Sequence, residues 1–297
     1  MKLSCVVLTV GNRPTELRHA IESVLDQDLG HAGGSVDCSG GEPVEIVVVG
    51  NGAPVPELPP EVKTLELPTN VGIPAGRNRG VEATSGDVVL FLDDDGWYPS
   101  KQLAAHVRDA FAADPKLGVL SFRVSDPEGG PGARRHVPRL RAGDPLRSSE
   151  VTSFLGGACA VRRGAFDVVG GLPASFFYAH EETDFAWRAI DEGYRIRYDA
   201  DAVMCHPAVT PTWHADFYRL NARNRVWLAR RNLPWPLAAC YLGAWMALTV
   251  LRERGPRTLR VWLGGFAEGW RESPGERDPI SWRAVWEMTK AGRPPVI

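Results

Sequence analysis

Asp87-Val88-Val89-Leu90-Phe91-Leu92 runs straight into Asp93-Asp94-Asp95. An apolar run of this length that meets a polar break at once has the pattern of a strand buried on both faces, as in a parallel sheet covered by helices. In open α/β sheets, ligands bind beyond the carboxyl ends of the strands. The aspartates stand at such an end. Alternate residues of an extended segment point the same way, so Asp93 and Asp95 can serve one site. Carboxylates suit a hard divalent ion of the kind usually shared with substrate phosphates. Such an ion would neutralise a leaving diphosphate. An acidic turn after a strand is the plainer alternative, and three aspartates alone do not decide between the two.

Working outward, residues 3–10 form another β-branched run, and Thr15 to Leu25 has helical spacing, with Leu17, Ile21, Val24 and Leu25 on one face. Residues 30–43 read as a Gly/Ser loop. Glu45 to Val49 is a buried strand that ends at Gly50-Asn51-Gly52, residues 53–60 are proline-rich and irregular, Val62 to Leu67 is a short strand, and Ile73 to Ala83 is a helix. Beyond the aspartates come a strand at 117–124 and a long Gly/Pro/Arg loop at 126–149. Strands at Thr152 to Val161 and Arg195 to Tyr198 follow, with a helix at Glu181 to Glu192 and a helical remainder from Pro211. Strands alternating with helices predict an α/β fold, a doubly wound and mostly parallel Rossmann-like sheet flanked by helices.

The 297 residues, 44% of them hydrophobic, can bury a substantial core, and a formal charge of −2 gives no basic excess that would point to nucleic acid. Cys5, Cys38, Cys159, Cys205 and Cys240 are odd in number and scattered, which reads as reduced thiols of a cytoplasmic protein. The apolar start is broken at Gly11 to Pro14, too early for a signal peptide, and reads as a first strand.

Further motifs follow in order. Asn70-Val-Gly72-Ile-Pro-Ala-Gly76-Arg77-Asn78-Arg79-Gly80 offers close backbone approach and, in Arg77, a planar donor fork for phosphate. Gly156-Gly157 precedes a strand. Gly170-Gly171-Leu172 leads to Phe176-Phe177-Tyr178 and then His180-Glu181-Glu182, and the strand after these ends in His206. Together with Thr9, Asn12-Arg13 and the Asp93/Asp95 pair, this order resembles glycosyltransferase family 2, whose members have a GT-A fold, over residues 3 to about 232. Within the family it looks most like bacterial rhamnosyl- and galactofuranosyl-type transferases.

The resemblance implies an inverting transfer from a nucleotide-diphosphate sugar, with a UDP- or dTDP-sugar favoured, to a hydroxyl of a glycan, lipid-linked or natural-product acceptor. It implies a divalent metal, Mn²⁺ or Mg²⁺, on Asp93, Asp95 and His206. It places Thr9, Asn12, Arg13, Asn51, Asn70, Gly72, Arg77, Asp93 and Asp94 at the donor, and Gly156, Gly157 and His180 at the acceptor. Glu182 stands where the family usually has its catalytic Asp, and Glu181 is the second candidate base. Asp184, Trp187 and Arg188 are expected to cap and pack the helix. The family's strand-end Asp is absent at Gly50, which leaves the nucleotide base open. The implied division is a GT-A catalytic domain at 1–232, with a nucleotide-sugar half at about 1–97 and an acceptor half at about 98–232, followed by a helical extension at 233–297.

The apolar segment Leu237 to Leu251 is too short to span a bilayer. Its Trp- and Arg-rich surroundings suit packing on the catalytic domain or a homodimer partner, with peripheral contact at the inner membrane face as the alternative. A catalytically degenerate sugar-nucleotide-binding protein and, less favoured, a nucleotidyltransferase are the competing functions.

Overall fold

The computed structural model describes residues 1–30, 42–130, 136–138, 144–207 and 215–296. Its centre is one eight-stranded sheet. The strands are β1 (Leu3–Thr9), β2 (Glu45–Asn51), β3 (Val62–Leu67), β4 (Val88–Asp93), β5 (Leu117–Ser125), β6 (Ser149–Val151), β7 (Ala158–Arg162) and β8 (Arg195–Cys205), in the order β3-β2-β1-β4-β7-β5-β8-β6. Four of the seven pairings are parallel; those of β7 with β4 and β5, and of β6 with β8, are antiparallel.

Alternation along the strands divides the core in two. Cys5, Val7, Ile46, Val48, Leu90 and Leu92 face α1 (Pro14–Leu25) and α3 (Leu103–Ala113). Val6, Val47, Val49, Val89 and Phe91 face the layer built from α2 (Ile73–Glu82), α4 (Arg163–Val169) and α5 (Glu181–Asp191). Both faces are therefore apolar, which is why β1, β2 and β4 read as unbroken hydrophobic runs.

Because β1, β2, β4, β5 and β8 point the same way, Thr9, Asn51, Asp93 and His206 arrive at one edge. The reversed β7 brings its beginning, Gly156-Gly157, to that same edge.

Three local assignments differ from the sequence expectation. Residues 152–161 do not form one strand. Gly156 and Gly157 turn the chain, and only Ala158–Arg162 enters the sheet. The last strand does not stop at Tyr198 but runs to Cys205, with a register shift opposite Phe122 and Arg123. Its polar interior misleads a hydropathy reading. Asp199 is buried there, and although burial opposes its charge, hydrogen bonds from His106 and from the backbone of Asp201 hold its carboxyl down at about 2. The sequence reading assigns no helix at α3 or α4, although Leu103, Val107 and Phe111 of α3 recur at helical spacing. Residues 131–135 and 139–143 of the long loop 126–149, and most of the Gly/Ser loop 30–43, lie outside the described residues, as do Cys38 and Pro211.

Four helices follow: α6 (Ala215–Asn232), α7 (Trp235–Arg252), α8 (Pro256–Arg271) and α9 (Trp282–Lys290). α8 lies against α6 because Gly265 and Gly269 leave room for the backbone of Arg219 and Arg223. Among the described residues no helix is long and apolar enough to cross a membrane.

Asp184 joins α5 to α6. It is fully buried and accepts hydrogen bonds from Arg188 (2.9 Å), Arg231 (3.1 Å) and Asn232 (2.7 Å). A buried carboxylate is tolerated only with such partners. Removing it leaves two guanidinium groups without their counter-charge. We expect Asp184→Ala to lower stability by roughly 3–5 kcal/mol, read as a shifted midpoint in urea unfolding. A change of less than about 1 kcal/mol would show that the network is not what fastens α6 to α5.

Candidate active site

The carboxyl edge of the sheet gathers more negative charge than a stable fold would keep without cations. Asp93 ends β4, and Asp94 and Asp95 form the turn after it. Arg13, at the start of α1, contacts both turn carboxylates, at 3.3 Å from Asp94 and 2.5 Å from Asp95. The Thr9 hydroxyl donates to Asp94 at 2.7 Å and accepts from the Gly11 N–H at 3.1 Å. Burial, the leading influence, leaves the Asp94 carboxyl raised despite Thr9 and Arg13. Burial also works to raise Asp95, but hydrogen bonding and charge from His206, with Arg13, outweigh it and lower that carboxyl.

His206 follows β8 directly. Its backbone N–H is held by Ser125, and the bridge between Cys205 and Trp97 pins the strand end beside the aspartate turn. Its Nδ1 faces the Pro207 carbonyl at 2.7 Å, and Nε2 lies 3.1 Å from Asp95 Oδ1. With Nδ1 donating to the carbonyl, Nε2 can meet a carboxylate only through a proton or a cation. The hydrogen bond with Asp95, ahead of the desolvation that opposes it, raises the His206 pKa.

The same pair also fits a metal. An octahedral ion with bonds of ~2.1 Å spaces neighbouring ligands by about 3 Å, and the Pro207 carbonyl is the kind of partner that orients a ligating imidazole. Asp93, with 43% of its side chain exposed, opens into the cleft. Among the described residues, no three His, Cys, Asp or Glu side chains form a closed ligand set by themselves. A metal here takes its remaining ligands from substrate and water.

Arg77 projects from α2 between two acids. Its guanidinium lies 3.0 Å from Asp93 and 3.9 Å from Glu182. Burial works against its charge, but Asp93, Glu182 and Glu181 together raise its pKa. The glycines of the 156–157 turn make this approach possible. A side chain at Gly156 would collide with Arg77 and Glu182, and one at Gly157 with the Asp93 carboxylate.

Two cavities meet at Asp93, Arg77, Tyr178 and His206. The larger, about 630 Å³, is lined by Thr9, Arg13, Asn70, Gly72 and the aspartate turn. The second, about 350 Å³, is lined by Phe154, Gly156, Gly157, Glu181 and Glu182. A ligand in the first can therefore present one end to a ligand in the second, beside Glu182.

The two glutamates differ. Glu182 is partly open to its cavity and faces Arg77; burial raises its carboxyl, with Arg77 opposing. Glu181 is 2% exposed, and its Oε2 has no protein partner. Burial, reinforced by Glu182, pushes Glu181 up to about 8.

Asn51 lines the larger cavity, and its buried side chain also shapes the 70–72 turn, accepting from the Val71 N–H and donating towards Asn70 and Gly72. Two other residues singled out in the sequence lie outside the cleft. Asn12 is exposed and does not line the cavity beside Arg13. His180 lines neither joined cavity, but a third one behind α5.

Sequence reasoning named no individual site residue in α6, which supplies Asp216, Phe217 and Leu220 to the larger cavity. Nor did it find Asn224. That side chain, fully buried, donates to the carbonyls of Phe176 (2.9 Å), Tyr178 (2.7 Å) and Ala179 (3.0 Å). It thereby holds a segment in which Phe177, Ala179 and His180 all have positive φ. Non-glycine residues seldom adopt that conformation, and here it sets the start of α5 and the glutamates. In the sequence Asn224 stands between Arg223 and Arg225, in a polar run that does not mark it as buried.

The family model described as glycosyl transferase family 2 matches residues 5–170. A pre-mycofactocin glycosyltransferase of Mycobacterium tuberculosis is 31% identical over 159 residues, 49% of this chain and 32% of that protein. The match thus spans about a third of that relative's length. The N-acetylglucosaminyl-diphospho-decaprenol L-rhamnosyltransferase of M. tuberculosis is 26% identical, over 65% of this chain and 77% of that protein. Among solved structures, the Pyrobaculum calidifontis mannosyltransferase PcManGT with GDP-Man and Mn²⁺ covers 98% of this chain and 84% of its own at TM-score 0.57 and 17% identity. S. aureus TarS 1-349 with UDP-GlcNAc covers 91% of this chain and 80% of its own at TM-score 0.60 and 16% identity. At these identities the likeness is one of fold, the GT-A type.

A carboxyl raised to about 8 by folding keeps its proton longer in the native state than in the unfolded chain. The stability it contributes is complete below its ordinary value near 4.5 and is lost as pH rises from there through about 8. We expect Glu181→Gln to unfold at a higher temperature than the parent at pH 8.5, with the gap closing as pH falls towards 4.5. A gap that does not vary with pH would mean that Glu181 is charged throughout.

Proposed function

The chain belongs to glycosyl transferase family 2, and we propose that it moves a sugar from a nucleotide-diphosphate donor to an acceptor hydroxyl by a single inverting displacement. The observation that carries this reading is the junction of the two cavities at Asp93 and Arg77, with Glu182 on the far side. The nucleotide diphosphate occupies the larger cavity and the acceptor the smaller. A UDP- or dTDP-sugar is the favoured donor, and the acceptor is a glycan, lipid-linked or natural-product hydroxyl. Residues 1–232 form the catalytic unit in this reading.

Glu182 takes the proton of the acceptor hydroxyl as its oxygen attacks the anomeric carbon. The bond from that carbon to the diphosphate oxygen breaks as the new one forms. A base works best when its pKa lies near the working pH, and burial raises Glu182 in that direction while Arg77 limits the rise. Arg77, fixed between Asp93 and Glu182, holds the base in place and faces the region where leaving-group charge develops. Arg13 keeps the Asp94-Asp95 turn compact. Asp93, Asp95 and His206 would hold a divalent ion, Mn²⁺ or Mg²⁺, which when bound would supply charge neutralisation for the departing diphosphate.

The wild-type chain should gain thermal stability from one family of nucleoside diphosphates, more with Mn²⁺ than without, as a ligand selective for the native state must. Asp95→Asn should lose the metal-dependent part. An absence of any shift in folded protein would argue for a degenerate relative. Glu182→Gln should lower turnover by roughly 10²–10⁴-fold while donor binding, measured by titration calorimetry, changes little. Near-normal turnover in that variant would remove Glu182 as the base.

A further inference from the structure

Helix α5 has a second polar face that the proposed transfer leaves unused. Glu181 and Glu182 line the acceptor-side cavity, whereas His180, Thr183 and Trp187 line a separate cavity of about 160 Å³. Positions 180, 183 and 187 share one helical face. The volume equals that of about five waters. Arg225 of α6, Trp245 of α7 and Arg293 of the C-terminal segment complete the wall.

Among the described residues this wall is cationic without a counter-charge. Arg225 is 8% exposed, and its guanidinium sits 3.6 Å from the centre of the Trp245 ring. Among the described residues it bonds to neutral groups, the Tyr241 hydroxyl at 3.0 Å and Asn221 at 3.4 Å. Neighbouring Arg219 and Arg223 pair with Glu268, and Arg231 with Asp184. Among the described residues, no carboxylate pairs with Arg225 or Arg293. Burial, with repulsion from Arg225, lowers Arg293 and holds His180 well below its ordinary value. Arg225 Nε, His180 Nε2 and Trp245 Nε1 are buried and have no protein partner. Buried polar atoms are nearly always partnered, and a buried unpaired cation is costly. Two of these atoms, Arg225 Nε and Trp245 Nε1, are donors beside one cavity, and with the two guanidinium charges they call for a ligand that is anionic and rich in acceptors.

We propose that this cavity binds a phosphate-class oxyanion between Arg225 and Arg293, with the Trp245 indole N–H completing its shell. A carboxylate has two oxygens in one plane and is matched by a single guanidinium fork. Two guanidinium groups and an indole N–H, carried by three different segments, suit an anion with three or more oxygens. The bound anion fastens α6, α7 and the C-terminal segment to the helix that carries Glu182. The site stands independently of the transfer reading, because none of the residues that hold the anion belongs to the two joined cavities.

The test is thermal unfolding of the full chain in inorganic phosphate, with ionic strength held constant by chloride. The midpoint should rise and saturate. Arg13→Gln, which weakens the donor-side cleft where phosphate could also settle, should keep the rise. Arg293→Gln should lose it, and in chloride should be at least as stable as the parent because one of two repelling cations is gone. Trp245→Phe keeps the ring and removes the N–H, so the half-saturating phosphate concentration should increase several-fold. That variant also decides the matter should Arg293→Gln fail to fold. A soluble short-chain phosphatidic acid forms the second arm. A shift with phosphate assigns the site to a free anion, and a shift with the lipid alone assigns it to a headgroup. No shift in either arm, or a shift abolished by Arg13→Gln and retained in Arg293→Gln, overturns the proposal.

Discussion

Electrostatic crowding at the carboxyl edge of the sheet is the constraint on which the rest of this molecule depends. Asp93, Asp94, Asp95, Glu181 and Glu182 converge there, and several of them are buried. Like charges so close cannot all stay ionised without nearby cations. Arg13 braces the aspartate turn from the first helix, His206 from the last strand, and Arg77 spans the gap between Asp93 and Glu182. The uneven result, with Asp95 lowered and both glutamates raised, suits a site where one carboxylate holds a cation while another waits for a proton. The glycine turn at 156–157 serves the same end by removing side chains from the space where these groups must meet.

The sheet is legible in the sequence wherever burial is two-sided. The runs at β1, β2 and β4 carry their own signature, and the abrupt end of the β4 run is enough to put the aspartates at a strand end. Legibility fails where a polar residue has a structural partner far away in the chain. Asp199 sits inside a strand because His106 meets it across 93 residues, a pairing that no local pattern shows. Asn51 ends a strand at the right edge and lines the larger cavity, but its amide is also bound into a turn 20 residues on, which the local pattern does not show. His180 stands beside the glutamates in sequence and so is grouped with them on a linear reading. Helical geometry sends adjacent residues in different directions, and the left-handed conformation at this position adds to the divergence.

Neighbours in sequence thus part company while distant residues combine. The aromatic segment before α5 illustrates the second case. Phe177 donates nothing obvious to a hydropathy plot, yet its carbonyl caps the Ile73 N–H at 2.8 Å and its backbone fills the space left by Gly72. The donor-side turn and the start of the glutamate helix are therefore one mechanical unit, and Asn224 clamps it from α6.

The buried position of Asp184 has a consequence for how the chain matures as it is made. Chains are synthesised from the N-terminus, and early segments can fold before later ones appear. Two of the partners that neutralise and bind Asp184, Arg231 and Asn232, lie 47 and 48 residues downstream. Until α6 has left the ribosome, burying this carboxylate is penalised, so α5 and its glutamates cannot settle into their final seat. The first strands of the sheet can form first, but the segment that carries Glu181 and Glu182 stays unlocked. Completion of the reactive centre is thereby tied to the arrival of a helix that is not part of the sheet at all.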